Sequence, residues 1–195
     1  FVSLKCSGGF RTAELALPAL VKLWNMGRAA RLLVSWIIGQ ILFKCPTLAQ
    51  LRSIRNGDTM VFTPPPSKTD PLGLIYSSKP LYLVYDDTEA INAPYHMLKM
   101  ELSFPCLSEE ERKTTPLFTN TRSAADPILA SYYQALLPKV LVVHAGLTPA
   151  RAACYSWHSC RIFLACALMA AGYDEDTALG FLRWQSKESL RLYAR

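Results

Sequence analysis

The chain reads as a mainly helical domain carrying one small antiparallel β-sheet, an α+β class. Two observations predict this. Apolar residues recur at helical spacing through most of the 195 positions, whereas one region, 59–85, is rich in β-branched and aromatic residues broken by turn formers. A third observation narrows it further: no internal repeat and no low-complexity tract is present, which argues against a solenoid or a disordered array. With 51% hydrophobic residues, the chain has material for a full core in a single domain.

In chain order, helical periodicity runs over 11–24 and again over 28–43. Residues 48–55 read as a short helical piece. The runs 59–63 and 73–76 flank Pro64-Pro65-Pro66-Ser67-Lys68-Thr69-Asp70-Pro71, which predicts a β-hairpin with a long, proline-stiffened turn. Residues 81–85 read as a third strand. A helix is expected over 88–102, capped from Asp86 or Asp87, unless Pro94 marks its true start. Residues 103–116, with Pro105 and the charged run 109–113, read as a surface loop, and Leu117-Phe118 re-enters the core. Asp126 followed by Pro127 has the form of an N-cap and first-turn proline, opening a helix to about His144. Residues 148–155 lead into a helix that starts near His158 and closes at Ala171-Gly172, and 174–182 reads as a second short helix.

The formal net charge of +6 and a pI near 9.1 favour a polyanionic partner, with Arg151, Arg161, Arg183, Lys187, Arg191 and Arg195 gathered in the last quarter. Six cysteines (Cys6, Cys45, Cys106, Cys154, Cys160, Cys166) form no C-x-x-C pair. The six-residue recurrence of the last three suits no common zinc set, so no metal site is expected. Free, mostly buried thiols in a reducing intracellular compartment are the simpler expectation. The apolar run 32–43 is shorter than the roughly 20 residues needed to span a bilayer.

The chemistry-bearing residues cluster near the C-terminus. Tyr155-Ser156-Trp157-His158-Ser159-Cys160-Arg161 is followed by Leu182-Arg183-Trp184 and then by Tyr193. His158 and Arg161 stand three apart, Trp184 follows His158 by 26, and Tyr193 follows Trp184 by nine. His158 and Arg161 thus share one helix face. Each residue alone has an ordinary structural reading: a half-buried histidine, a core tryptophan, an aromatic covering a helix. Their joint order and register does not.

In that order of groups the chain resembles the catalytic half of the tyrosine recombinase (phage integrase) family. The resemblance implies strand breakage through a covalent 3′-phosphotyrosyl bond, with Tyr193 as nucleophile. A free tyrosine phenol ionises at roughly pH 10, so such a nucleophile needs a cationic pocket and a proton acceptor. Arginine suits the clamp because its planar fork meets two phosphate oxygens and stays charged. Arg161 fills that place, with His158 as the acceptor. Trp184, where many relatives carry histidine, can donate one N–H but cannot carry a proton.

Two further groups must come from upstream. Arg11, followed by Glu14-Leu15, matches the family's first arginine motif, with Glu14 placed to brace it. Lys68, in Ser67-Lys68-Thr69-Asp70, resembles the hairpin lysine of eukaryotic and mobile-element recombinases, and would protonate the leaving 5′ oxygen. Arg11 and Lys68 are 57 positions apart, more than the family's usual spacing, so 18–43 is read as an insertion: one or two extra helices outside the core, or foreign sequence. Arg28 and Arg31 are fallback arginines that lack the Glu-Leu partner.

The resemblance covers 1–195 as a catalytic domain whose N-terminal core-binding domain is absent. It implies double-stranded DNA as partner and a homotetramer on two DNA sites. It implies no cofactor, small-molecule ligand or membrane, and a nuclear location in a eukaryotic host. Two rivals stay open: a type IB topoisomerase acting on one duplex, and a catalytically dead relic that only binds DNA.

Overall fold

The computed structural model describes residues 2–16, 30–66, 70–76, 79–104, 107–120 and 123–193. Two short helices open the chain, α1 (Val2–Gly8) and α2 (Thr12–Leu15). A 3-10 turn (Arg31–Leu33) then enters a sheet whose first members are β1 (Val34–Ile38) and β2 (Ile41–Phe43). Helix α3 (Leu48–Ser53) precedes β3 (Thr59–Phe62) and β4 (Leu81–Val84). The four strands lie in the order β2-β1-β3-β4, every neighbouring pair antiparallel. Helices α4 (Ala93–Leu102) and α5 (Glu109–Thr114) follow, then a two-stranded ladder of β5 (Thr119–Asn120) and β6 (Ser123–Pro127). The chain ends in α6 (Ala130–Val143), α7 (Pro149–Ala152), α8 (Trp157–Ala170), α9 (Glu175–Leu182) and α10 (Lys187–Tyr193). Helices with a small antiparallel sheet are the class expected from sequence.

Several elements differ from expectation, each for a physical reason. Beyond the 3-10 turn the run 34–43 is a β-hairpin rather than helix, and its first strand is core rather than an appendage. Val34 and Trp36, two positions apart and so on one face of the strand, are fully buried, and Trp36 pairs with Phe43 on one side and Met60 on the other. A continuous apolar run does not distinguish helix from strand by period. Here the β-branched residues and the turn decide. Gly39 and Gln40 both have positive φ (53° and 73°), the geometry of a tight two-residue hairpin turn.

The strand that pairs with β3 is 81–84, not 73–76. Asp70 accounts for this: its buried carboxylate accepts the N–H groups of Leu74, Ile75 and Tyr76 at 2.9, 3.1 and 2.9 Å, so that segment is bound as a turn and offers no ladder. Helix α4 starts beside Pro94 and is capped by Asn92, while Asp86 binds Thr88 in a local turn. The charged run 109–113 is helix α5, opened by Ser108 and Glu111 in a capping box. Its Arg112 is buried against Glu101 with bonds of 3.0 and 2.8 Å. Asp126-Pro127 ends strand β6, and α6 starts later, after Leu129.

Helices α8 and α9 lie where the sequence reading placed them. Ser156 caps α8, Gly172 (φ 83°) follows its end, and Asp174 caps α9. One core gathers Phe10, Trp36, Met60, Phe62, Met97, Leu98 and Trp157; a second, smaller one joins α8, α9 and α10 through Ala165, Ala178, Leu179, Leu182 and Leu190. Among the described residues, no helix is long and apolar enough to cross a membrane.

Candidate functional site

The site forms where α1, α2, α8, α9 and α10 meet. Gly9 makes the approach possible. Its φ is 56°, and a Cβ there would lie 3.1 Å from both Leu164 and Leu182, so the chain reverses tightly against α8 and α9. The reversal delivers Arg11 as the N-cap of α2. Its N–H donates to Glu14 Oε2 at 2.7 Å, and its guanidinium, one-third exposed, lies 3.8 Å from Glu14 Oε1.

Glu14 is itself buried, and its second ion pair is to Arg183 at 3.2 Å. Arg183 occupies the turn after α9 in a left-handed conformation (φ 54°) that a bulky side chain rarely adopts. Its partners offset that strain: Glu14, the carbonyls of Gly8 and Gly9, and the ring of Phe10 with the guanidinium 4.4 Å from its centroid. The same turn swings Trp184 back toward α8.

Arg161, one turn into α8, is 3% exposed. Its guanidinium donates to the carbonyl of Leu182 and lies 5.5 Å from the Trp184 ring, and Nε has no hydrogen-bond partner among the described residues. Burial pushes its pKa down to about 10, against the opposing pull of Glu14 and with help from Arg11 and Arg183. No ion pair joins Arg161 to a carboxylate among the described residues. Lys5, Arg11, Arg161 and Arg183 together share one nearby carboxylate, Glu14. Such a cluster owes itself an anion.

The ring of His158 meets that of Tyr193 edge-on, centroids 5.9 Å apart, and Tyr193 lies 5.8 Å from Trp184. Burial, then Arg161, Lys5 and Arg11, hold the His158 imidazolium below its ordinary pKa of 6.5. Helix α10 brings Tyr193 here by burying Leu190 against α8 and α9, and the exposed pairs Arg191–Glu175 (2.7 Å) and Lys187–Asp176 (2.7 Å) add to that docking. A cleft of about 330 Å³ is lined by Arg11, His158, Trp184 and Tyr193, among others. An adjoining one of about 270 Å³ is lined by Lys5, Arg11, His158 and Arg161.

Five of the residues named from sequence, Arg11, His158, Arg161, Trp184 and Tyr193, therefore lie together. Lys68 and the fallback Arg28 fall outside the described residues. Arg31 lies elsewhere, fully buried beside Glu101 and the Phe104 ring. The basic C-terminal quarter offers less unpaired positive charge than its sequence suggests, since Arg183, Lys187 and Arg191 are each paired with a carboxylate of their own chain. Sequence reasoning missed Lys5, for which no local signal exists, and the structural role of Arg183. The described cysteines are free but not mostly buried: Cys154 is exposed and Cys6, Cys45, Cys160 and Cys166 are half-buried.

No family model, curated protein or solved structure matches the chain.

Proposed function

We propose that this chain breaks and rejoins DNA through a covalent 3′-phosphotyrosyl intermediate, as the catalytic domain of a tyrosine recombinase with that family's fold. The observation that carries the reading is the buried Arg161, without a carboxylate ion pair among the described residues, which lines one cleft with Arg11 and His158, while those same two residues line the adjoining cleft with Trp184 and Tyr193. A phosphodiester supplies the missing anion, and Tyr193, the one phenol lining the cleft among the described residues, stands beside the His158 imidazole.

In this reading the Tyr193 oxygen attacks phosphorus while His158 takes the phenol proton. Arg11 and Arg161 donate to the non-bridging oxygens, where negative charge grows, and the Trp184 indole N–H adds one more donor. The bond from phosphorus to the 5′ oxygen breaks, and Lys68 protonates that oxygen as it leaves. Attack by a 5′ hydroxyl on the phosphotyrosine reverses every step, so the ester conserves the energy for rejoining. The partner is double-stranded DNA, and the working assembly is a homotetramer on two DNA sites.

The test is a pool of nicked duplexes with randomised cores, so that the short strand diffuses away after cleavage and cannot religate. The expected result is a protein–DNA adduct that survives detergent and maps to Tyr193. DNA binding with no adduct anywhere in the pool would sink the reading in favour of a binding relic. Relaxation of supercoiled plasmid by the monomer would favour a topoisomerase instead.

The His158 environment sets an acid limit on the rate. A base acts only when unprotonated, and the depressed pKa keeps His158 neutral at pH 7. Single-turnover cleavage is therefore expected to fall with acidity only below pH 6.5, the ordinary imidazole value. His158→Gln is expected to lower the rate and remove that limb. A limb unchanged in the variant would assign it to another group.

A further inference from the structure

We infer that Lys5, outside every motif that suggested the function, is a positioning residue that holds Arg11 in the phosphate site by bonding the residues on both sides of it, the Phe10 carbonyl before and the Thr12 hydroxyl after. The inference rests on the proposed function. Lys5 sits on α1 and is 2% exposed, an unusual place for an ammonium. Its Nζ donates to the carbonyl of Phe10 at 2.5 Å and lies 3.4 Å from the hydroxyl of Thr12. Those two residues flank Arg11. Among the described residues Lys5 makes no ion pair, so its charge is not explained as half of a salt bridge. It is instead spent on the two neighbours of the clamp, in the cleft that Arg11, His158 and Arg161 also line.

The groups that face Lys5 come from each packed element. Burial opposes the ammonium most; Cys160 of α8 and then Glu14 of α2 favour it, Arg161 of α8 opposes it, Cys6 of α1 favours it, and His158 of α8 lies within its field. The Lys5 pKa is pushed down to about 8. As pH rises through that value the charged clasp weakens, and the rate should fall. Stability moves the other way. The folded pKa lies below the value of 10.5 in an unfolded chain, so between about 8 and 10.5 the unfolded state binds more protons and folding is favoured by rising pH. A loss of rate above pH 8 is then not a loss of fold.

The experiment measures single-turnover adduct formation from pH 6 to 10 for the parent, Lys5→Met and Lys5→Arg, with thermal melts and DNA binding alongside. For Lys5→Met the expected result is a rate lower by roughly tenfold to a hundredfold at pH 7, the scale of a misplaced catalytic group. DNA binding and melting temperature hold, and the alkaline fall near pH 8 disappears. Lys5→Arg, always charged, is expected to recover most of the rate and keep it above pH 8. The inference is overturned if folded Lys5→Met cleaves within twofold of the parent, or if it keeps the same alkaline limb. In that case the parent's Tyr193 adduct still stands. A parent that forms no adduct overturns the proposed function and this inference together.

Discussion

Replacing Tyr193 with phenylalanine is expected to abolish covalent strand cleavage, by roughly a thousandfold or more, while leaving fold and DNA binding intact. The substitution removes one oxygen. The contacts that place the ring do not use it: the aromatic faces of His158 and Trp184 remain at 5.9 and 5.8 Å, and the Cys166 thiol donates to the backbone carbonyl of residue 193 at 3.1 Å. Helix α10 stays docked through buried Leu190, with Arg191–Glu175 and Lys187–Asp176 adding to it. Among the described residues lining the two clefts, Tyr193 is the one tyrosine; Tyr76, whose phenol acts on the charges of Arg161 and Arg183, lines neither, and Tyr76→Phe serves as the control. The readouts are the detergent-stable adduct, a filter or gel-shift binding curve, and a melt. Adduct formation at the parent rate would exclude Tyr193 as the nucleophile.

What the sequence disclosed about this fold depended on how local each determinant is. The C-terminal helices were legible because their caps are local: Ser156, Asp174 and Gly172 sit within a few residues of the ends they set. The three-residue step from His158 to Arg161 is local as well. The sheet was less legible, because 32–43 is mostly apolar and its identity is settled by pairing with β3, more than 20 residues on. Residues 73–76 have strand-like composition but lose their N–H groups to Asp70, a capture that composition does not show. Helix α5 did carry its signal, Ser108 and Glu111 in capping-box register, but the charge of the run and the prolines around it pointed to a loop. In the site, Arg11, His158, Arg161, Trp184 and Tyr193 were found by type and spacing. Lys5 and Arg183 were not, because what makes them matter is burial around Glu14, 169 positions from Arg183.

That long-range link makes Glu14→Gln the most damaging single change expected outside the reacting groups. Glu14 is the shared carboxylate of the cluster, taking the Arg11 N–H at 2.7 Å and the Arg183 guanidinium at 3.2 Å, and both side chains of its pair with Arg183 are about 5% exposed. Removing one charge of a buried pair strands the other, at a cost of about 3 kcal/mol or more. For a chain of this size that is a fall of about 6–12 °C in melting temperature. Burial already holds the Arg183 pKa below its ordinary value, with Glu14 acting most against that shift and Tyr76 less, so the variant loses the group that most favours the charge. The stranded Arg183 would also release the left-handed turn that aims Trp184, and Arg11 would lose its brace, so the cleavage rate should fall with stability. A double-mutant cycle separates the two effects. Pairing Glu14→Gln with Arg183→Met replaces the buried charge with an apolar chain, and is expected to recover most of the lost stability. The rate should stay low, because Arg11 remains unbraced. A melting temperature for Glu14→Gln within a degree or two of the parent would show that the pair carries no such coupling. A double variant that regained full rate would show that Arg11 needs no carboxylate to hold it.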